Sequence, residues 1–316
     1  MRHLFIINPT AGKRDQTSRV LAMAEGLRRS HGLECACMLT QRPGHAAQLA
    51  RQAAEEGGEL RVYACGGDGT VSETANGLAG FSNAAMTCIP MGTGNDFLRN
   101  FGEDAALFAD AENLWDGPQF PLDLIDCSGR LCLTIACTGI DARVADDVHR
   151  YSSAPFLTGH GSYVASLAVN FLFRGISRRW TVSLDGQTRT GEYTLLAVCN
   201  GRYYGGGFTP VPDARMDDGV LSTILITGSR RLAFALHVGE YASGNWRRVP
   251  QYMQVVQAQK ICVRPETGDL TVSLDGEIFH LPEAEFRLSE RKLNFFGPAG
   301  CDCNRTARTA SFTKTS

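Results

Sequence analysis

No charge of one sign dominates this chain. Its 31 Lys and Arg face 33 Asp and Glu, a net charge of −2. Whole-chain electrostatics therefore give no footing for a nucleic-acid partner. Long apolar runs are missing too: Tyr163 to Phe173 is too short to span a bilayer and carries Asn170. The N-terminus enters a strand at once, without the charged region, apolar core and cleavage site of a secretory signal. There is no Cys-x-x-Cys pair, which argues against a structural zinc site. Most of the 11 cysteines (Cys35, Cys37, Cys65, Cys88, Cys132, Cys137, Cys199, Cys262) sit in apolar strand-like runs and read as small buried hydrophobes. Cys301-x-Cys303 stands apart in a polar tail, where it could oxidise. A reduced, cytoplasmic protein is expected. No P-loop occurs, because Gly12-Lys13 is followed by Arg14 and the spacing before it is wrong. The His-Arg-Asp and Asp-Phe-Gly strings of protein kinases are missing as well. No internal repeat is visible.

What is present has the proportions of a globular protein: 316 residues, 43% hydrophobic and 20% charged, enough for two domains. Basic residues recur as pairs, at Arg28-Arg29, Arg178-Arg179, Arg230-Arg231, Arg247-Arg248 and Arg291-Lys292. Solvated surface explains most of them; a shared face for anionic lipid is the sharper reading.

The most informative stretch is Arg61 to Leu78. A buried-strand pattern, Arg61-Val62-Tyr63-Ala64-Cys65, runs into Gly66-Gly67-Asp68-Gly69-Thr70, and helical spacing follows from Val71. Glycines let backbone approach a ligand closely. A helix start offers unpaired N–H groups to phosphate. Asp68 would repel that phosphate unless a cation lies between, and Mg²⁺ suits carboxylate, water and phosphate oxygens together. Taken alone, the string is equally a tight glycine turn. Two further strand ends shift the balance: Phe5-Ile6-Ile7-Asn8-Pro9-Thr10-Ala11-Gly12 and Ile89-Pro90-Met91-Gly92-Thr93-Gly94-Asn95-Asp96-Phe97. Three such loops in order point to one crevice at the carboxyl edge of a parallel sheet.

Asn8-Pro9-x-x-Gly12, Gly66-Gly67-Asp68-Gly69-Thr70 and Gly92-Thr93-Gly94-Asn95-Asp96 together resemble the diacylglycerol kinase catalytic domain family, which includes bacterial soluble lipid kinases and sphingosine kinases. The resemblance runs from about Leu4 to Gly297. Gly-Gly-Asp-Gly alone is less specific and also occurs in NAD kinases and phosphofructokinases.

Strands and helices alternate up to residue 123: strands at Leu4–Ile7, Leu33–Leu39, Arg61–Cys65 and Met86–Ile89, helices at Asp15–Ser30, Gly44–Glu56, Val71–Leu78 and Ala105–Trp115. This predicts a three-layer α/β nucleotide-binding domain with a parallel sheet. From 124 to 289 the pattern becomes short strands: Leu131–Cys137, Trp180–Leu184, Tyr193–Cys199, Leu221–Ile226, Lys260–Arg264, Leu270–Leu274 and Phe286–Leu288, with turn signals at Asp185-Gly186 and Asp275-Gly276. An antiparallel, β-sandwich-like domain is predicted, with helices near Asp141–Arg150, Ser162–Phe173 and Ser229–Ala242. The resemblance implies that 290–298, with a last strand at Lys292–Phe296, returns to the first domain and that the active site lies in the cleft between the domains. Residues 299–316 read as a disordered tail.

The resemblance also implies an activity: ATP-dependent, Mg²⁺-requiring phosphorylation of a hydroxyl on a diacylglycerol-like or sphingoid lipid, reached by peripheral contact with the membrane surface. The implied ATP site takes Asn8, Pro9, Thr10, Ala11, Gly12, Thr40, Gly66, Gly67, Asp68, Gly69, Thr70, Val71, Ser72, Glu73, Thr93 and Asn95. Asp68, Asp96 and Asp123 are candidate ligands of catalytic Mg²⁺; for Asp96 the plainer reading is a helix cap. Pro212-Asp213-Ala214-Arg215-Met216-Asp217-Asp218-Gly219-Val220-Leu221 reads locally as a solvated turn. In the family it holds a structural Mg²⁺, which carries over as the Asp218 side chain with the Arg215 and Val220 carbonyls.

Ser273-Leu274-Asp275-Gly276-Glu277 nearly duplicates Ser183-Leu184-Asp185-Gly186-Gln187. A hairpin needs only Asp-Gly, so Glu277 is the part left for chemistry. By resemblance it is the general base, with Asp68 as the alternative. Tyr203-Tyr204-Gly205-Gly206-Gly207-Phe208 and Phe156, Phe171 and Phe173 read singly as core and together as a groove for acyl chains. Two other functions stay open: an NAD-kinase-like kinase and a nucleotide-binding regulator without catalysis. A homodimer is compatible with the sequence.

Overall fold

The computed structural model describes residues 1–151, 175–228 and 231–301. The helix expected over Ser162–Phe173, the aromatic residues Phe156, Phe171 and Phe173, and Cys303 in the tail lie outside the described residues. The chain divides into two compact units: Met1–Phe120 with the segment that starts at Asn294, and Pro121–Leu293.

The first unit follows the alternation read from the sequence: β1 (Arg2–Ile7), α1 (Thr17–His31), β2 (Glu34–Leu39), α2 (His45–Glu55), β3 (Leu60–Gly66), α3 (Asp68–Leu78), β4 (Ala84–Pro90) and the short α4 (Asp96–Arg99). Their sheet has the order β2-β1-β3-β4, extended by the late strand β17 (Leu293–Phe296) and by β5 (Gln119–Leu122). Pairings β1–β2, β1–β3, β3–β4 and β4–β17 are all parallel. Every residue of β3 is buried, as expected for a parallel strand covered on both faces. α1 buries Val20, Ala24 and Leu27, one stripe at helical spacing, and ends at Gly32, whose φ of 67° lets its N–H reach Arg28 O.

One helix expected here does not form. In place of Ala105–Trp115 there are two 3₁₀ turns, Gly102–Ala109 and Ala111–Asn113. Asp110 between them is extended, and its carboxylate accepts the Glu112 N–H. A short acidic side chain that bonds nearby backbone competes with the helix in this way.

The second unit is β-rich: β6 (Ile125–Cys127), β7 (Arg130–Cys132), β8 (Ile135–Gly139), α5 (Ile140–Tyr151), β9 (Arg178–Leu184), β10 (Gln187–Cys199), β11 (Leu221–Thr227), α6 (Arg231–Ala242), β12 (Met253–Ala258), β13 (Lys260–Pro265), β14 (Leu270–Leu274), β15 (Glu277–Leu281) and β16 (Ala284–Leu288). The pairings described for β8–β10, β10–β11, β11–β12, β9–β13 and β14–β8 are antiparallel. This is the antiparallel, sandwich-like architecture expected. One core gathers Trp180, Val182, Leu196, Val198, Ile261, Val272 and Phe286; a second gathers Ile135, Leu195, Ala197, Ile224, Phe234 and Tyr241.

The single strand expected over Leu131–Cys137 is broken into β7 and β8. The amides of Leu133 and Thr134 turn to the Asp275 carboxylate at 2.6 and 2.8 Å. β6, β12 and β15 were not anticipated. β15 is the return arm of the Asp275-Gly276 hairpin, with Leu274 paired to Glu277.

Candidate active site

In the first unit the three glycine-bearing strand ends meet. β1 delivers Asn8, whose Nδ2 donates to Thr70 Oγ1 at 3.1 Å and whose Oδ1 accepts from Thr10 N at 3.1 Å and Thr10 Oγ1 at 2.8 Å. This is an Asx turn that fixes the loop after the strand. Two contacts need glycine. A Cβ on Gly92 would stand 2.7 Å from the Gly67 Cα, and one on Gly12, at φ 78°, would stand 2.2 Å from Met91 O. Neither backbone can retreat, so larger residues at these positions would push the loops apart.

The loops enclose the start of α3. Its first intrahelical bond is Val71 N to Gly67 O at 3.1 Å, and no side chain caps the end. The preceding N–H groups therefore form a partly positive helix terminus. An open cavity of about 360 Å³ lies there, lined by Asn8, Ala11, Gly12, Gly67, Asp68, Gly69, Thr70, Gly92, Thr93 and Gly94. A second, of about 290 Å³, shares Asn8, Gly69 and Thr70 and adds Thr10, Thr40 and Glu73. It also adds Gln41, Arg42 and Pro43. The sequence reading stopped at Thr40 and missed these three. Arg42 had a legible signal, a cation three residues after a strand end in the same row of loops.

Asp68 takes the first position of α3; its Oδ1 accepts the Phe97 N–H at 3.2 Å. Asn95, at a φ of 53°, closes its own loop by donating to Gly92 O at 3.0 Å. Asp96 is buried and pairs with Arg99 at 3.1 Å. Val71 and Ser72 are buried and line neither of these two cavities. Glu73 has a task that sequence reasoning missed: its two carboxylate oxygens accept Gly44 N at 2.7 Å and Ala46 N at 3.1 Å. It thus caps α2 from a neighbouring helix, a favourable place for a negative charge.

The second unit holds Asp123, Asp218 and Glu277. Glu277 opens β15 and is exposed. Asp123, expected among the catalytic Mg²⁺ ligands, has protein partners within the second unit. Only 1% of its side chain is exposed, Lys292 Nζ lies against Oδ1, and Gly219 N donates to Oδ2 at 2.7 Å. Its amide donates to Met216 O at 2.7 Å, and Asn200 Nδ2 donates to its carbonyl at 2.8 Å. Asp123 therefore anchors the 216–219 loop, and a lysine supplies its counter-charge. Asp218 sits on that loop with Oδ1 accepting Val220 N at 3.1 Å. Partial burial raises its carboxyl above the usual range, against the bond from Val220, and the nearby Asp123 and Asp217 push the same way. Among the described residues no three His, Cys, Asp or Glu side chains are grouped to hold a metal ion.

The aromatic-glycine loop turns partly inward. The Tyr204 hydroxyl donates to Asp141 Oδ2 and lies 2.6 Å from the Tyr241 hydroxyl. Burial raises the Asp141 carboxyl, and the two tyrosine hydroxyls only partly offset it. The sequence singled out neither Asp141 nor Tyr241.

Comparison with known proteins fits this geometry. Residues 2–127 match the family described as Diacylglycerol kinase catalytic domain. Residues 134–295 match the YegS C-terminal NAD kinase beta sandwich-like domain. A Pseudomonas aeruginosa protein named "Probable lipid kinase YegS-like" is 30% identical over 299 residues, covering 92% of this chain and 93% of its own. A Staphylococcus aureus protein named "Diacylglycerol kinase" is 28% identical, covering 94% and 92%. Among solved structures, "Crystal structure of a putative diacylglycerol kinase from Bacillus anthracis str. Sterne" superposes with a TM-score of 0.74 at 25% identity, covering 94% of this chain and 96% of that one. The chain belongs to the diacylglycerol kinase catalytic domain family of lipid kinases.

Proposed function

We propose that the chain transfers the γ-phosphoryl group of ATP to a hydroxyl of a diacylglycerol-like or sphingoid lipid. The observation that carries this reading is the uncapped start of α3, open to a cavity of about 360 Å³ between three strand-end loops, with Asp68 as the first helical residue. The donor set fits a polyphosphate: backbone N–H groups with the dipole behind them, and glycines at Gly12 and Gly92 where a Cβ would collide. Mg²⁺, when bound, would offset phosphate charge at this site. Asp68, Asp96 and Asp123 are the residues that would hold it, through water. Asn8 and Thr70 orient the loop, and Thr40 borders the neighbouring cavity.

Glu277 accepts the proton of the acceptor hydroxyl in this reading. The hairpin does not explain its charge, because the matching position in the other Asp-Gly hairpin is Gln187. For the 212–221 loop, Asp218 with the Arg215 and Val220 carbonyls is the proposed structural Mg²⁺ site. Asp218 loses charge repulsion from Asp123 and Asp217 when a cation binds. Added Mg²⁺ should raise the melting temperature of the wild-type chain and leave Asp218→Asn unmoved; equal rises in both would remove the site.

The deciding experiment incubates the chain and Mg²⁺ with γ-labelled ATP and a panel of acceptors: diacylglycerols, sphingoid bases and NAD. Label in the extracted lipid is expected. Label in the NAD fraction, or in no acceptor while nucleotide still binds, would overturn the reading in favour of a soluble-substrate kinase or a regulator.

A further inference from the structure

Helix α6 buries one face and exposes another, and both are apolar. Phe234 and Tyr241, seven residues apart, pack into the second core at 7% and 2% exposure. Leu232 and Leu236, one turn apart, stand 72% and 70% exposed. Ala235 and Gly239 are exposed as well, and helical spacing sets these four along one stripe opposite Phe234 and Tyr241. An exposed leucine alone needs no explanation, but two on consecutive turns of a stripe without a charged residue mark a contact surface.

The surroundings identify the occupant. Between Gly228 and Tyr252 the sequence has four arginines (Arg230, Arg231, Arg247, Arg248) and one acid, Glu240, in a chain whose net charge is −2. Arg231 opens the helix and is exposed. Arg247 and Arg248 lie in the 3₁₀ turn that follows, with side chains 65% and 70% exposed. Arg248 stands 3.7 Å from Glu240 on α6 itself, and Arg247 stacks on Trp246 at 4.3 Å and pairs with Asp213 at 3.1 Å. An apolar stripe flanked by arginine and tryptophan matches an interfacial helix on an anionic bilayer. At 12 residues, α6 would run roughly 18 Å, too short to cross a hydrocarbon core. Among the described residues no helix is long and apolar enough to do so.

From this we infer that the outward stripe of α6, Leu232, Ala235, Leu236 and Gly239, seats the protein on anionic membrane, with Arg231, Arg247 and Arg248 on the headgroups. The choice of a bilayer over a protein partner rests on the lipid-acceptor reading above. The stripe supplies the apolar attachment and the arginines the selectivity for charge.

The test is co-sedimentation of the full chain with vesicles of phosphatidylcholine alone or mixed two to one with phosphatidylglycerol. A parallel kinase assay uses a short-chain diacylglycerol dispersed without a bilayer. Wild type should partition onto the mixed vesicles. The double variant Leu232→Ser/Leu236→Ser should lose roughly tenfold or more of that partitioning. Arg247→Gln/Arg248→Gln should lose about fivefold or more, an effect that rising salt removes from the wild type. Both variants should phosphorylate the dispersed acceptor as the wild type does, which separates docking from catalysis. As a second probe, Leu236→Trp should keep binding and have its fluorescence quenched by brominated lipid chains. Equal partitioning of the wild type and the serine variant would overturn the inference, even with kinase activity intact. So would a wild type that ignores vesicles and forms a dimer lost in the serine variant.

Discussion

Ser183–Gln187 and Ser273–Glu277 are two copies of one device. In each, Asp and Gly take left-handed backbone, at φ of 46° and 88° for Asp185-Gly186 and 47° and 94° for Asp275-Gly276. That is the turn which matches strand twist, and Asp-Gly serves it well. Each aspartate then reaches out of its hairpin to pin a neighbouring chain. Asp185 accepts Gln259 N at 3.0 Å and Lys260 N at 2.8 Å and returns its own amide to Lys260 O. Asp275 accepts Leu133 N, Thr134 N and the Thr134 hydroxyl and returns its amide to Ile135 O. Both aspartates are thus occupied with architecture. The copies part at the residue after glycine, where Gln187 shows that the hairpin forms without a carboxylate. The difference shows that the hairpin turn itself does not call for the Glu277 carboxylate.

Four substitutions break or sharpen this comparison. Glu277→Gln should have the largest effect, lowering kcat by roughly a hundred- to ten-thousand-fold with nucleotide affinity and melting temperature near the wild type. Turnover within a few-fold of wild type would return Glu277 to the status of Gln187. Asp275→Asn should cost about 2–3 kcal/mol in urea unfolding, because a charged acceptor of several partly buried donors is weakened. Asp185→Asn should cost about 1 kcal/mol, since its partners are more exposed. A ranking of these two in the opposite order would show that donor number does not set the cost. Gln187→Glu should be the smallest, within about 0.5 kcal/mol of wild type and with unchanged kinetics. A measurable rate effect there would mean that the two hairpins are not separable into a structural and a chemical copy.

Much of the molecule was legible residue by residue. Strand-turn-helix punctuation located β3, the glycine turn and α3, and both Asp-Gly turns formed where Asp-Gly stands. The failures share a pattern. Ala105–Trp115 has helical composition, yet the Asp110 carboxylate accepts the Glu112 N–H. Leu131–Cys137 reads as one strand, yet its middle amides serve an aspartate more than a hundred residues away. Glu73 lines the second cavity, and its carboxylate also caps α2, a task that its position in the chain does not show.

The sequence by itself determined the strand-helix alternation from β1 to β4, the division between an α/β part and a β part, and the three loops that gather glycine at strand ends. These depend on periodicity and turn chemistry, forces that act over a few residues. Only the tertiary structure decided which distant partner a buried acid takes: Lys292 for Asp123, Tyr204 for Asp141. A buried charge is stabilised by whatever group the packing brings within a few ångströms. Nothing in the spacing of residues 123 and 292 along the chain announces that they will meet.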